Sequence, residues 1–301
     1  MRATGLMGII LLPAVLSACG GGQPLDPAYV AQTDAWHAER VARLVTPTGW
    51  LSLVGLHPLH EGPNTVGSAE GADARLVPKA PPRVGRLDVG PAGAVRFLAE
   101  PGVDVRRHAD AGAGPVAELD LVTDAAGAPT ELAVGTLVMH VVDRGGRLFL
   151  RVKDTRAEAL RTFTGIERFP VDPRWRITAR LEAGPPTVAV PNVLGQMDQE
   201  PSPGTLVFSI DGRACRLVPT GGPGEDLFLV FADPTNGPQT YPGGRFLATD
   251  PPAADGTVVL DFNRSTNPPC AFSDFATCPL PPPGNTLPVA VTAGEKRWGS
   301  H

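Results

Sequence analysis

At 301 residues the chain has room for one large domain or two ordinary ones, since domains usually run to ~100–200 residues. With 42% hydrophobic residues it can form a real core, which excludes wholesale disorder. The 35 glycines and 34 prolines, spread along the chain, exclude long helical architectures. A formal charge of −5, no basic run and 6% aromatics exclude a nucleic-acid groove.

The first nineteen residues read as an export signal. Arg2 supplies a positive end, and Leu6–Leu16 is an apolar stretch broken only by Gly8 and Pro13. A run of that length is too short to cross a bilayer, which takes ~20 residues. Leu16-Ser17-Ala18-Cys19 follows and resembles the lipobox of bacterial lipoproteins, whose cysteine is diacylated and becomes the new N-terminus. The expected organisation is a signal peptide over 1–18 and a flexible tether over 19–26. An N-terminal helix with a β-sandwich-like unit follows over 27–159, then a β-rich unit over 160–301. The protein is thus expected to be exported and anchored through Cys19 to a membrane of the bacterial cell envelope. Gly20 after the cysteine resembles lipoproteins sent to an outer membrane, where the organism has one.

Asp26-Pro27 opens a helix, with Asp as the cap and Pro in the first turn. Its apolar side carries Val30, His37, Val41 and Leu44, with Asp34, Glu39, Arg40 and Arg43 elsewhere, and Thr46-Pro47 ends it. From there the apolar period shortens to two. Residues 84–89, 94–98, 116–122, 131–143 and 147–153 read as strands, with His140 on a largely apolar face of the fourth. A second series comprises 175–181, 188–193, 205–210, 214–218, 227–231, 245–248, 258–262 and 288–291. Asp211-Gly212 reads as a tight hairpin turn. Closely spaced strands with little intervening helix predict a mainly β fold: one short N-terminal helix and two sandwich- or barrel-like units.

No Gly-x-Ser-x-Gly elbow, P-loop, EF-hand loop or His-Glu-x-x-His motif occurs, and no metal site or cofactor is predicted. His57 and His60 bracket a two-residue turn and read as solvent-exposed. Cys270 and Cys278 bound a compact Pro-flanked segment, for which export to an oxidising compartment predicts a disulfide; zinc binding and a reactive thiol are the rival readings. Cys215 reads as a buried free thiol. The densest polar cluster surrounds this segment: Asp233, Tyr241, Arg245, Asp261, Asn263, Arg264, Asn267, Asn285 and Glu295. The candidate ligand-binding residues are Tyr241, Arg245, Asp261, Asn263, Asn267 and Glu295. They permit a ligand clamp, an acid/base pair of Asp261 and Glu295 with Arg245 orienting substrate, or an internal ion-pair network.

Several stretches together resemble an exported bacterial family known as domain of unknown function 1684. They are Gly49-Trp50-Leu51-Ser52-Leu53-Val54-Gly55-Leu56, Phe169-Pro170-Val171-Asp172-Pro173-Arg174-Trp175-Arg176, Thr240-Tyr241-Pro242-Gly243-Gly244-Arg245-Phe246, Asp261-Phe262-Asn263-Arg264, Asn267-Pro268-Pro269-Cys270-Ala271-Phe272, Thr277-Cys278-Pro279-Leu280-Pro281-Pro282 and Ala293-Gly294-Glu295-Lys296. The resemblance implies a shared fold and export, and brings no catalytic residues with it. Gly62–Ser68 is also similar to the opening turn of a forkhead-associated sandwich. Ser68 stands where that pattern has an arginine, which argues against phosphothreonine binding.

Two functions are therefore expected as alternatives. One is a non-catalytic envelope module binding a small molecule, glycan or protein partner, with no nucleic acid among its ligands. The other is a carboxylate-based hydrolase.

Overall fold

A computed structural model describes residues 26–110 and 112–299. The expected signal peptide, Cys19 and nearly all of the tether lie outside the described residues. The N-terminal helix, α1, spans Pro27–Leu44, and the Asp26 side chain accepts a hydrogen bond from the Ala28 N–H, as the sequence predicts. No described helix is long and apolar enough to cross a membrane.

The fold is mainly β. Two five-stranded sheets follow α1. The first runs, in spatial order, Leu53–Pro58, Arg147–Asp154, Leu137–Arg144, Leu132–Val134 and Arg106–Arg107. The second runs Ala74–Arg75, Gly62–Gly67, Gly85–Val89, Val95–Ala99 and Glu118–Leu121. All their pairings are antiparallel except that of the two-residue strand Ala74–Arg75 with Gly62–Gly67. Both sheets feed one core, with Val66, Leu87 and Phe97 from one meeting Leu132, Met139 and Leu150 from the other. That is the geometry of a sandwich, in which facing side chains interdigitate.

A second core lies further along the chain. A four-stranded sheet, Arg213–Leu217, Thr205–Ile210, Arg176–Glu182 and Thr257–Asp261, packs with a two-stranded sheet of Leu227–Phe231 and Arg245–Thr249. Their shared interior holds Trp175, Phe208, Leu217, Leu260, Phe231 and Leu247. Burying each such side chain contributes ~1.5–3 kcal/mol. A smaller hairpin, Thr187–Pro191 with Met197–Pro201, forms a separate two-stranded sheet and is bonded to the 278–280 segment around Asn192. Among the described residues no sheet closes into a barrel.

Three local expectations need correction. The strand expected over 131–143 is two strands, because Gly135 takes a φ of 58° and turns the chain between Val134 and Leu137. Leu137, Met139 and Val141 consequently face the sandwich core. Residues 62–67, expected as a turn of forkhead-associated type, form a strand, with Thr65 bonded through N and Oγ1 to Asp73. Residues 288–291 make no ladder; the Val291 N–H is taken by the Asp233 carboxylate at 3.1 Å.

Candidate functional site

One polar face of α1 meets the C-terminal sheets. Tyr29, Gln32, Trp36, Arg40 and Arg43 recur at spacings of three and four, which stacks them along one side of a helix. Only Thr33 and Leu44 of α1 are buried, so the helix docks largely through polar contacts. The Tyr29 hydroxyl donates to Asp261 Oδ1 at 2.8 Å. Asn263 Nδ2 donates to the Tyr29 oxygen and to the Asp172 carbonyl, both at 2.9 Å, and Asn263 Oδ1 accepts from the Asp172 N–H at 3.0 Å. Burial, then the bond to Asp261, pushes the Tyr29 hydroxyl up to about 12.

Glu295 forms the second anchor and is 1% exposed. Its Oε2 accepts from the Asn267 N–H at 2.7 Å; Oε1 lies 3.5 Å from Arg40 Nε and 3.8 Å from His37 Nε2. Burial raises the Glu295 carboxyl above its ordinary value, and Arg40 and the Asn267 N–H pull it back in part. Arg40 Nη2 also donates to the Asn267 carbonyl at 3.1 Å, while Asn267 Nδ2 donates to the Lys296 carbonyl at 2.8 Å.

Arg245 serves neither anchor. It is fully buried, and its Nη2 donates to Asp233 Oδ2 at 2.7 Å and to the Val291 carbonyl at 2.8 Å; its Nη1 donates to the Ala293 carbonyl. Its guanidinium carbon sits 5.1 Å from the Phe231 ring centroid. This brace ties the 291–293 segment to the two-stranded sheet, and a residue so enclosed is not available to orient a substrate. Tyr241 likewise packs against the cluster of Leu44, Leu51, Ile166, Ala271 and Phe272. Asn263 is buried and spent on Tyr29 and Asp172. Of the polar face expected to carry Tyr241, Arg245, Asp261 and Asn263, Arg245 and Asn263 are therefore interior and Tyr241 is half-buried, while Asp261 and Asn267 line open space.

The expected Cys270–Cys278 disulfide is not formed; both are thiols, with the Cys270 N–H donating to Cys278 Sγ at 3.0 Å. The hydrogen bond between the two thiol side chains lowers the Cys270 thiol and, with burial, raises that of Cys278. Cys215 is a buried free thiol, and burial pushes it up. His140 is 5% exposed, 3.8 Å from Glu131, and held down to about 4 by burial. No cluster of three or more His, Cys, Asp or Glu suited to a metal occurs among the described residues.

The open space that borders Asp261 and Asn267 is a groove of about 720 Å³. One wall is the face of α1 carrying Tyr29, Trp36, Arg40 and Arg43; the floor includes Phe228, Phe246 and Ala248. Arg176 and Arg264 also enter it. Arg264 stacks over Trp36 at 5.7 Å and lies 3.6 Å from Asp261 Oδ2. Phe228 and Phe246 meet edge to face, with centroids 4.9 Å apart. Arg43 and Arg176 are exposed and have no carboxylate partner among the described residues. Four guanidiniums lining a groove that also holds Trp36, Phe228 and Phe246 suit an anion attached to an apolar or planar body. The sequence pattern placed Arg40 and Arg43 off the apolar side of α1 without giving their side a role, and so missed this wall. Trp36 with Arg40 and Arg43 at i+4 and i+7 was the available signal.

Comparison with known proteins locates part of this architecture. Residues 161–296 match the family model described as "Protein of unknown function (DUF1684)". Through those residues the chain belongs to this family. The DUF1684 region supplies the groove floor, Asp261, Arg264 and Glu295, whereas α1, which supplies the wall, lies before it. A solution NMR structure of an uncharacterized protein from Haloarcula marismortui is 34% identical, covering 46% of this chain and 80% of that one, with a TM-score of 0.39. No curated protein matches.

Proposed function

We propose that the protein is a ligand-binding β module of the cell envelope, and that the groove between α1 and the DUF1684 sheets binds an anionic ligand. The observation that carries this is the pair of unpartnered guanidiniums, Arg43 and Arg176, opening into the same groove as Arg40 and Arg264. A non-catalytic role is supported by the two carboxylates best suited to acid/base work: Asp261 and Glu295 are each engaged by hydrogen bonds and a cationic neighbour. Calorimetric titration with citrate, a compact polyanion, is expected to show saturable binding. Arg43→Ala with Arg176→Ala is expected to weaken it about tenfold, the equivalent of ~1.4 kcal/mol. Equal affinity in the double variant rejects the site.

In the same proposal the chain is held at the membrane by a lipid on Cys19, with a tether of eight residues reaching at most ~29 Å. A Cys19→Ala form is expected to leave the membrane fraction; its retention there contradicts the anchor. In an oxidising envelope the adjacent Cys270 and Cys278 thiols close a disulfide, transferring two electrons and two protons to a disulfide-bearing oxidant. Non-reducing peptide mapping of protein isolated from envelopes is expected to show the linked peptide, and finding only free thiols removes that part.

A further inference from the structure

The two ends of the groove carry opposite charge. Residues 226 and 228 of one strand region, and 246, 248 and 250 of its neighbour, all line it, as the alternation of side chains along a strand requires. The ladder ends at the pair Leu227–Thr249, so Asp226 and Asp250 stand opposite each other one position beyond it. Both are exposed, and neither has an ion-pair partner among the described residues. At the other end Phe246 pairs with Thr266, whose neighbour Asn267 receives the Arg40 hydrogen bond. Arg43 extends that cationic end by one turn of α1. Position 246 lies four residues from position 250, ~13 Å at ~3.3 Å per residue. Between the ends the floor is apolar, with Phe228, Ala248 and a 40% exposed Val259.

We infer that the ligand is a short extended peptide, with its carboxylate end on Arg40 and Arg43 and its ammonium on Asp226 and Asp250. The inference rests on the reading of the groove as an anion site and adds the second pole. A bound ammonium meets two exposed carboxylates there, a pole that a compact anion held at the arginine end does not engage and against which an anion filling the groove would set like charge. A peptide of about four extended residues spans the ~13 Å between poles at ~3.3–3.6 Å per residue and lays side chains on the apolar floor. The exposed Arg43 fork matches a terminal carboxylate in two-point geometry, with the Arg40 charge beside it.

The test is calorimetric titration of the full protein with the tetrapeptide Ala-Leu-Phe-Ala with free ends, its N-acetylated form, and citrate. Acetylation is expected to weaken peptide binding at least threefold, with citrate binding unchanged by Asp226→Asn with Asp250→Asn. That exposed double variant is expected to melt like the parent and to bind both peptides equally. Equal binding of the two peptides to the parent overturns the peptide inference while citrate binding keeps the anion site. A discrimination that survives in the Asp variant overturns the assignment of the second pole. No response to citrate or to either peptide overturns both readings.

Discussion

Tyr29 and Asp261 are 232 positions apart in sequence and 2.8 Å apart in space. The hydroxyl on α1 meets a carboxylate at the end of the Thr257–Asp261 strand, and with the Arg40–Glu295 contact this seats the helix along the C-terminal sheets. The groove exists because of that seating: one wall is helix, and the floor is sheet.

Tyr29→Phe removes one donor to Asp261 and the acceptor used by Asn263. A buried hydrogen bond left unmade costs ~1–3 kcal/mol, and each kcal/mol is worth ~2–4 °C in a body of this size. The expected result is a fall of several degrees in melting temperature and faster proteolysis within α1. The same variant changes the alkaline limb. Tyr29 in the folded protein is raised from 10 to about 12, so its contribution is fully present below pH 10 and is lost as pH climbs through that window. Denaturation followed between pH 9 and 12 is expected to show a shallower decline in Tyr29→Phe than in the parent.

Arg245→Ala leaves Asp233 charged and enclosed. Breaking a buried pair by removing one partner costs ~3–5 kcal/mol, and Arg245 also carries two backbone carbonyls of the 291–293 segment. Urea denaturation is expected to show a loss of that order. A loss below about 1 kcal/mol would mean that the brace is not what holds this segment.

His140 is lowered from 6.5 to about 4, chiefly by burial and then by the nearby Lys153 and Arg151 cations. A depressed folded value means the neutral ring is favoured. Its contribution is therefore fully present above pH 6.5 and is lost as pH falls toward 4. At ~1.4 kcal/mol per unit the loss is on the order of 3 kcal/mol. Stability measured from pH 7 to 4 is expected to drop less in His140→Gln than in the parent; parallel curves would assign the acid loss to other groups.

The strands were legible where alternation and turn chemistry agreed. The strands over 205–210 and 227–231 fall where the pattern places them, and Asp211 and Gly212 take the positive φ values, 49° and 75°, that their turn demands. Alternation could not show the break at Gly135, because an apolar face continues on either side of it. Asp261, Asn267 and Glu295 were recognised as a polar cluster from their density in an apolar stretch. Their partners were not, since Tyr29, His37 and Arg40 come from a helix whose periodicity shows a polar face but not what that face meets. Arg245 misled for the same reason: its partner Asp233 is set by the pairing of two strands, which composition does not encode.

The most direct test of the groove is the indole N–H signals of Trp36 and Trp50, the two tryptophans that line it, followed by NMR during titration with citrate. Saturable shifts confined to these two are expected in the parent, with Trp175 and Trp298 unmoved, and their loss is expected in Arg43→Ala with Arg176→Ala. Shifts absent from Trp36 and Trp50, or persisting undiminished in the double variant, would contradict a ligand site between α1 and the DUF1684 sheets.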